Sequence, residues 1–155
     1  MGGVPVLSLS QATGYAIRAM ACLDGPGGVP LHVEYLARRT KLPKPYLSKI
    51  IQALAAKGFL KTKRGYKGGI LLSRSPERIT LLKVVEAVEG SNWVGGCLMG
   101  MPRCGRRRAC PLHLFWQKES RRIKLELRSQ TLGDMKKFQV RCPKTVASAR
   151  YRTIA

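Results

Sequence analysis

Acidic side chains are scarce in this chain, with 8 Asp and Glu against 29 Lys and Arg, a formal charge of +21 and a calculated pI near 10.6. A protein so charged repels its own copies and attracts polyanions, nucleic acid above all. Histidine is rarer still, limited to His32 and His113, and no two cysteines form a C-x-x-C pair. Nucleophilic catalysis needs an activated nucleophile with a positioned base, so an enzyme is not expected. No apolar run approaches the ~18 residues of a membrane span, and Met1 to Ser10 lack the basic segment and long apolar stretch of an export signal. The expectation is a cytoplasmic protein with no membrane partner and no small-molecule substrate. Its clustered cysteines should then bind metal rather than form disulfides. Internal repeats are absent as well.

What is there suffices for a folded domain, since 155 residues at 45% apolar content support a proper core. Ala12, Tyr15, Ala16, Ala19, Met20 and Leu23 recur at helical spacing over 11–23, and a glycine-rich turn follows. Cys22, beside that stripe, reads as a small core residue rather than a ligand. A second short helix is expected over 30–39. A third has Pro45 in its first turn, Leu47, Ile50, Ile51 and Leu54 as its buried stripe, and Gly58 as its end. Two short helices joined by a tight turn form a helix-turn-helix, whose second helix enters the major groove. Lys44, Tyr46, Ser48, Lys49 and Gln52 are left facing outward or sideways.

Residues 59–63 and 70–72 then read as paired strands around a glycine-rich tip, a wing charged by Lys61, Lys63, Arg64 and Lys67. Between Tyr35 and Pro76 stand eleven Lys or Arg and no Asp or Glu. A solvated face would interleave the signs, so this block favours a nucleic-acid surface. Thr80 caps a helix running to Glu89, with Leu82, Val85 and Val88 as its inner face. The fold class expected is mainly α with a small β-wing: a winged helix-turn-helix over 7–90, a cysteine loop over 91–113, a dimerisation helix with a short following turn over 112–135, and a basic flexible tail over 136–155. The long helix carries Leu112, Phe115, Trp116, Ile123 and Leu127, with an interruption at Glu119, and that stripe needs cover. A second copy of the chain would supply it, matching a palindromic site; folding back on its own domain is the alternative. Cys142, in the tail, reads as an idle thiol.

The chemistry is concentrated between Cys97 and His113. Six, five and then two residues separate Cys97, Cys104, Cys110 and His113. Thiolate and imidazole donors suit zinc or an iron–sulfur cluster and exclude calcium and magnesium as natural occupants. Arg103, Arg106, Arg107 and Arg108 keep the thiolates deprotonated. A loop with Gly95, Gly96, Gly100, Pro102 and Gly105 has little capacity to order itself without a metal.

Several segments together resemble the bacterial winged-helix regulators that include the iron–sulfur cluster regulator IscR and the nitric-oxide sensor NsrR. They are Gly14 to Ala19, Pro45 to Ile50, Arg64-Gly65 with Gly68-Gly69, Val84 to Gly90, Trp116 and Thr131 to Asp134, within roughly residues 7 to 135. The resemblance implies that Cys97, Cys104 and Cys110 bind a cluster. It also implies that Tyr46, Ser48 and Lys49 lie on the recognition helix and that Arg64 reaches the minor groove. The IscR-like branch takes a histidine as fourth ligand, and His113 stands in that place. Nitric-oxide sensors recruit an acidic residue from the partner's first helix, where this chain has Gly14, which cannot coordinate. The reading is a dimeric, iron–sulfur-dependent regulator of promoter DNA that senses cluster status, redox or nitric oxide. Repression is the expected direction and 2Fe-2S is favoured over 4Fe-4S. The alternative is a basic nucleic-acid-binding protein in which the same four residues hold structural zinc. An RNA-associated version of it is disfavoured by the few exposed aromatics, since single-stranded RNA readers use stacking platforms.

Overall fold

Helix α1, Gln11–Ala21, is the element on which the others pack. Ser10 caps it, its Oγ accepting from the Thr13 amide at 3.3 Å. The computed structural model describes residues 9–65, 68–94, 96–101 and 110–138. Within them α1 is buried more widely than its apolar stripe predicts, because Thr13, Ile17 and Ala21 join Ala16, Ala19 and Met20 inside. Alanines at three of these positions let neighbouring helices approach closely, which is how one helix is covered from several sides.

Helices α2, Val33–Thr40, and α3, Lys44–Ala56, form the helix-turn-helix. Lys41 makes the turn in a left-handed conformation, φ 57°, its amide returning to the Ala37 carbonyl. Thr40, itself buried, donates from Oγ1 to the Leu36 carbonyl at 2.6 Å, and the Arg18 guanidinium donates to the Thr40 carbonyl at 3.3 Å. Those contacts satisfy carbonyls that the end of α2 would otherwise leave bare. Leu47, Ile50, Ile51 and Leu54 are the buried residues of α3, the stripe its sequence predicts.

The second helix was expected to begin at residue 30, but Leu31 is held in an extended bridge to Ile70, with amide–carbonyl distances of 3.1 and 2.9 Å. It lengthens the sheet side of the wing, where β1, Leu60–Lys63, pairs antiparallel with β2, Gly69–Leu72. The register places Leu60 opposite Leu72 and Lys63 opposite Gly69. Leu60, Ile70 and Leu72 are buried while Lys61, Thr62 and Lys63 face out. Gly69 therefore belongs to the strand rather than to the tip, and its φ of 144° needs glycine. At Gly68 a Cβ would stand 2.1 Å from the Lys63 carbonyl oxygen, so this reversal has no room for a side chain.

A single 3-10 turn, Pro76–Arg78, leads to α4, Leu81–Glu89, capped by Thr80. Glu89 at its end reaches back to the start of α1: its Oε1 accepts from the Ser10 amide at 2.9 Å and from Thr13 Oγ1 at 2.5 Å. Burial raises the Glu89 pKa, but the hydrogen bonds from Ser10 and Thr13 outweigh it, and the net value lies below the ordinary glutamate value.

The long helix α5, His113–Ser129, runs unbroken through Glu119, where an interruption was expected, and Trp116 is its buried residue. After it the chain returns to the domain. The Leu81 amide bonds to the Gln130 carbonyl and the Leu132 amide to the Ile79 carbonyl, both at 2.9 Å. Helix α6, Leu132–Phe138, then lies against α1 and the 3-10 turn, with Leu132 fully buried in the core. Lys136 Nζ pairs with Asp24 Oδ1 at 2.6 Å. Two expected boundaries change accordingly. The winged-helix core does not close at residue 90 but includes Leu132, and α6 carries residues 136–138 that were assigned to the tail. Residues 139–155, Cys142 among them, lie outside the described residues.

Leu132→Ala should lower unfolding stability by about 2–5 kcal/mol, the range for large-to-small changes in a closed core; urea denaturation measures it. The folded-state pKa of Glu89 is depressed, so its contribution is present above the unfolded pKa and lost as pH falls through the folded one. The difference in urea midpoint between wild type and Glu89→Gln should therefore be greatest near neutral pH and shrink below about pH 4.

Candidate functional site

The outward side of α3 and the wing form one surface. Tyr46 and Lys49 are exposed and Ser48 is half-buried, all on the first two turns of α3. The Tyr46 ring stands edge-on to Tyr15, centroids 5.9 Å apart at 88°, which fixes an aromatic at the entrance of the helix. Lys63 and Arg64 are exposed where β1 ends; Lys67 lies outside the described residues.

Lys44 is exposed on this surface, and its ammonium pairs with the Glu34 carboxylate of α2. The hydrogen bond from Lys44 is the first cause of the lowered Glu34 pKa. Glu34 stands one residue outside the one-signed block, so the sequence count could not reveal the pair. A residue the sequence reading passed over is Lys41, exposed at the helix-turn-helix turn. The break between the second and third helices was the available signal.

The second site opens at the start of α5. Cys97, Cys110 and His113 line one cleft of about 280 Å³, together with Met99, Met101 and Trp116. His113 is the first residue of α5, and its amide donates to the Cys110 carbonyl at 3.1 Å. Trp116, one turn on, donates from Nε1 to the Gly96 carbonyl at 2.7 Å and so ties the segment carrying Cys97 to the helix carrying His113. That anchoring role had no signal in ligand spacing. Cys104 falls in 102–109, outside the described residues; Cys97, Cys110 and His113 line the same cleft, but among the described residues they are not close enough together to form a metal-holding group. The donor types that line the cleft, two thiols and an imidazole, are those that soft or borderline metals take.

A family model described as an iron-dependent transcriptional regulator, Rrf2, matches residues 9–137, from the cap of α1 nearly to the end of α6. The chain belongs to the Rrf2 family. It is 31% identical over 136 residues to the transcriptional regulator IscR of Xenorhabdus nematophila, covering 86% of this chain and 81% of that one. It is 27% identical over 119 residues to the protein rrf2 of Nitratidesulfovibrio vulgaris, covering 77% and 79%. Among solved structures, T. potens IscR superposes with a TM-score of 0.67 at 28% identity, covering 88% of this chain and 90% of that chain. The cysteine regulator CymR of B. subtilis gives 0.70 at 23% identity, covering 85% and 98%, a likeness of fold. As a member of this family the chain is a DNA-binding transcriptional regulator with a winged helix-turn-helix, not an enzyme. No helix among the described residues is long and apolar enough to cross a membrane.

Arg64→Ala should weaken duplex binding and reduce the slope of log affinity against log salt by about 1, since one cationic contact is removed. Titrations of labelled duplex across several salt concentrations check this; an unchanged slope would keep the wing off the DNA.

Proposed function

We propose that this Rrf2-family regulator binds promoter DNA as a homodimer, holds an iron–sulfur cluster at Cys97, Cys104, Cys110 and His113, and changes its DNA affinity with the state of that site. Repression is the direction proposed, and cluster status, redox or nitric oxide the signal. The observation that carries the reading is the shared cleft of Cys97, Cys110 and His113 at the first turn of α5. The iron-dependent description of the family and the likeness to IscR favour iron–sulfur over zinc. A histidine among three cysteines favours 2Fe-2S, as in centres where imidazole replaces thiolate. The group, when bound, supplies a one-electron redox centre.

The residues of the chain do the rest. Cys97 and Cys110 present thiolates from either side of the loop, and His113 would hold the group from the helix itself. Leu114, Phe115 and Leu125 on α5 are 67%, 54% and 57% exposed, an apolar surface that a second α5 would cover. Helix α5 is held to the loop through Trp116 and to the domain through Gln130. Ordering or loosening of the loop would thus act at the start of the helix that spaces two reading heads. Tyr46, Ser48 and Lys49 read the major groove, Lys63 and Lys67 grip the backbone beside it, Arg64 reaches the minor groove from the wing, and Lys44 joins them by exchanging Glu34 for phosphate.

Anaerobic purification tests the cofactor, because a cluster gives a brown protein with visible absorption whereas the zinc alternative gives a colourless one. His113→Ala should leave the affinity of the metal-free protein for duplex unchanged but make the visible absorption bleach faster in air, by roughly tenfold, the scale of lost metal-site interactions. Equal operator affinity of loaded and metal-free protein would remove the sensing role, and a monomer by sedimentation at micromolar concentration would remove the homodimer.

A further inference from the structure

At the base of the wing, on the far side from its tip, a pocket of about 200 Å³ is lined by Lys57, Gly58, Phe59, Arg74, Arg78, Ile79 and Lys83. Four of those residues are cations and none is acidic. Five elements meet there: the end of α3, the start of β1, the segment after β2, the 3-10 turn and the first turn of α4. Lys57 is fixed toward the pocket wall because its ammonium donates to the Ala87 carbonyl of α4. Ser73 holds the two sides together, its amide donating to the Phe59 carbonyl at 2.9 Å and its Oγ to the Gly58 carbonyl at 2.6 Å. Buried Ile79 and half-buried Phe59 supply the apolar part of the lining.

Among the described residues none of the four cations forms an ion pair. Glu77, the acidic residue nearest in sequence to Arg78, lies instead against Gly133 of α6. Lys57, Arg74, Arg78 and Lys83 are all exposed, and with no carboxylate in the lining the rim of the pocket is positively charged, an arrangement a multiply charged oxyanion would relieve. Two arginine forks with two lysine point charges match the geometry of phosphate oxygens. A pocket of about 200 Å³ has room for more than a single water-sized group. The promoter is an unsuitable source. At ~1.5 Å per residue, Lys57 lies roughly 20 Å along α3 from Lys44 at its DNA-facing start.

We infer that this pocket is a binding site for a small, multiply charged phosphate compound of the diphosphate class, separate from both the DNA surface and the cysteine cleft. The test is calorimetric titration of the full chain, freed of nucleic acid, with inorganic pyrophosphate at about 0.15 M salt. Saturable binding of one pyrophosphate per chain is expected. The double variant Arg74→Gln/Arg78→Gln should weaken it by at least roughly tenfold, as loss of charge-assisted hydrogen bonds does. The control Lys118→Gln/Arg121→Gln, which removes the same charge from exposed positions of α5, should change it by less than about twofold. Lys83→Gln alone, at an exposed helix position, should weaken binding by roughly threefold and keeps the test open if the double variant misfolds. Absence of saturable binding, or equal losses in pocket and control variants, would overturn the assignment. A loss of duplex affinity in the pocket variant beyond that of the control, measured without pyrophosphate, would give these cations to the DNA backbone and overturn it too.

Discussion

The burial of α1 from several sides is the constraint on which the rest depends. Helices α2, α3, α4 and α6 all pack on it, and its alanines at 16, 19 and 21 make those close approaches possible. From that base the recognition helix is set by the Leu47, Ile50, Ile51 and Leu54 stripe, and the wing by Leu60, Ile70 and Leu72. The polar clasp of Glu89 on Ser10 and Thr13 fixes the end of α4 against the start of α1, eight residues before Cys97 in the chain.

Much of this was legible in the sequence, for reasons that differ by element. Helices α1, α3 and α4 announce themselves through periodic apolar residues, and α3 and α4 also through Pro45 and Thr80 at their starts, signals that are local and read without tertiary knowledge. The wing was visible in its glycines and one-signed charge. What escaped depends on contacts between distant residues. The Leu31–Ile70 bridge shortened α2 from its expected start, the Glu34–Lys44 pair crossed the edge of a charge block, and Leu132 joined a core whose other members end at Val94 apart from Trp116. At the cleft, cysteine and histidine types were readable from donor chemistry. The indole of Trp116 was not, because it acts on the Gly96 carbonyl and touches no ligand through a spacing rule.

Charge is distributed with the same logic. The domain tolerates a large excess of Lys and Arg because few of them are asked to enter the core, and because the few carboxylates are placed where geometry matters. Glu34 holds the first residue of the recognition helix, Asp24 holds α6, and Glu89 holds α1. Asp24 and Glu89 tie together elements far apart in the chain, Glu34 joins consecutive helices, and the remaining cations are left to meet phosphate.

The return of α6 sets an order on the birth of the protein. As the chain leaves the ribosome from its N-terminus, the recognition helix and wing emerge well before Leu132, the residue that completes their core. All four candidate ligands, Cys97 to His113, emerge in that interval. The segment that carries them is thus synthesised before the DNA-reading domain can close its core around Leu132.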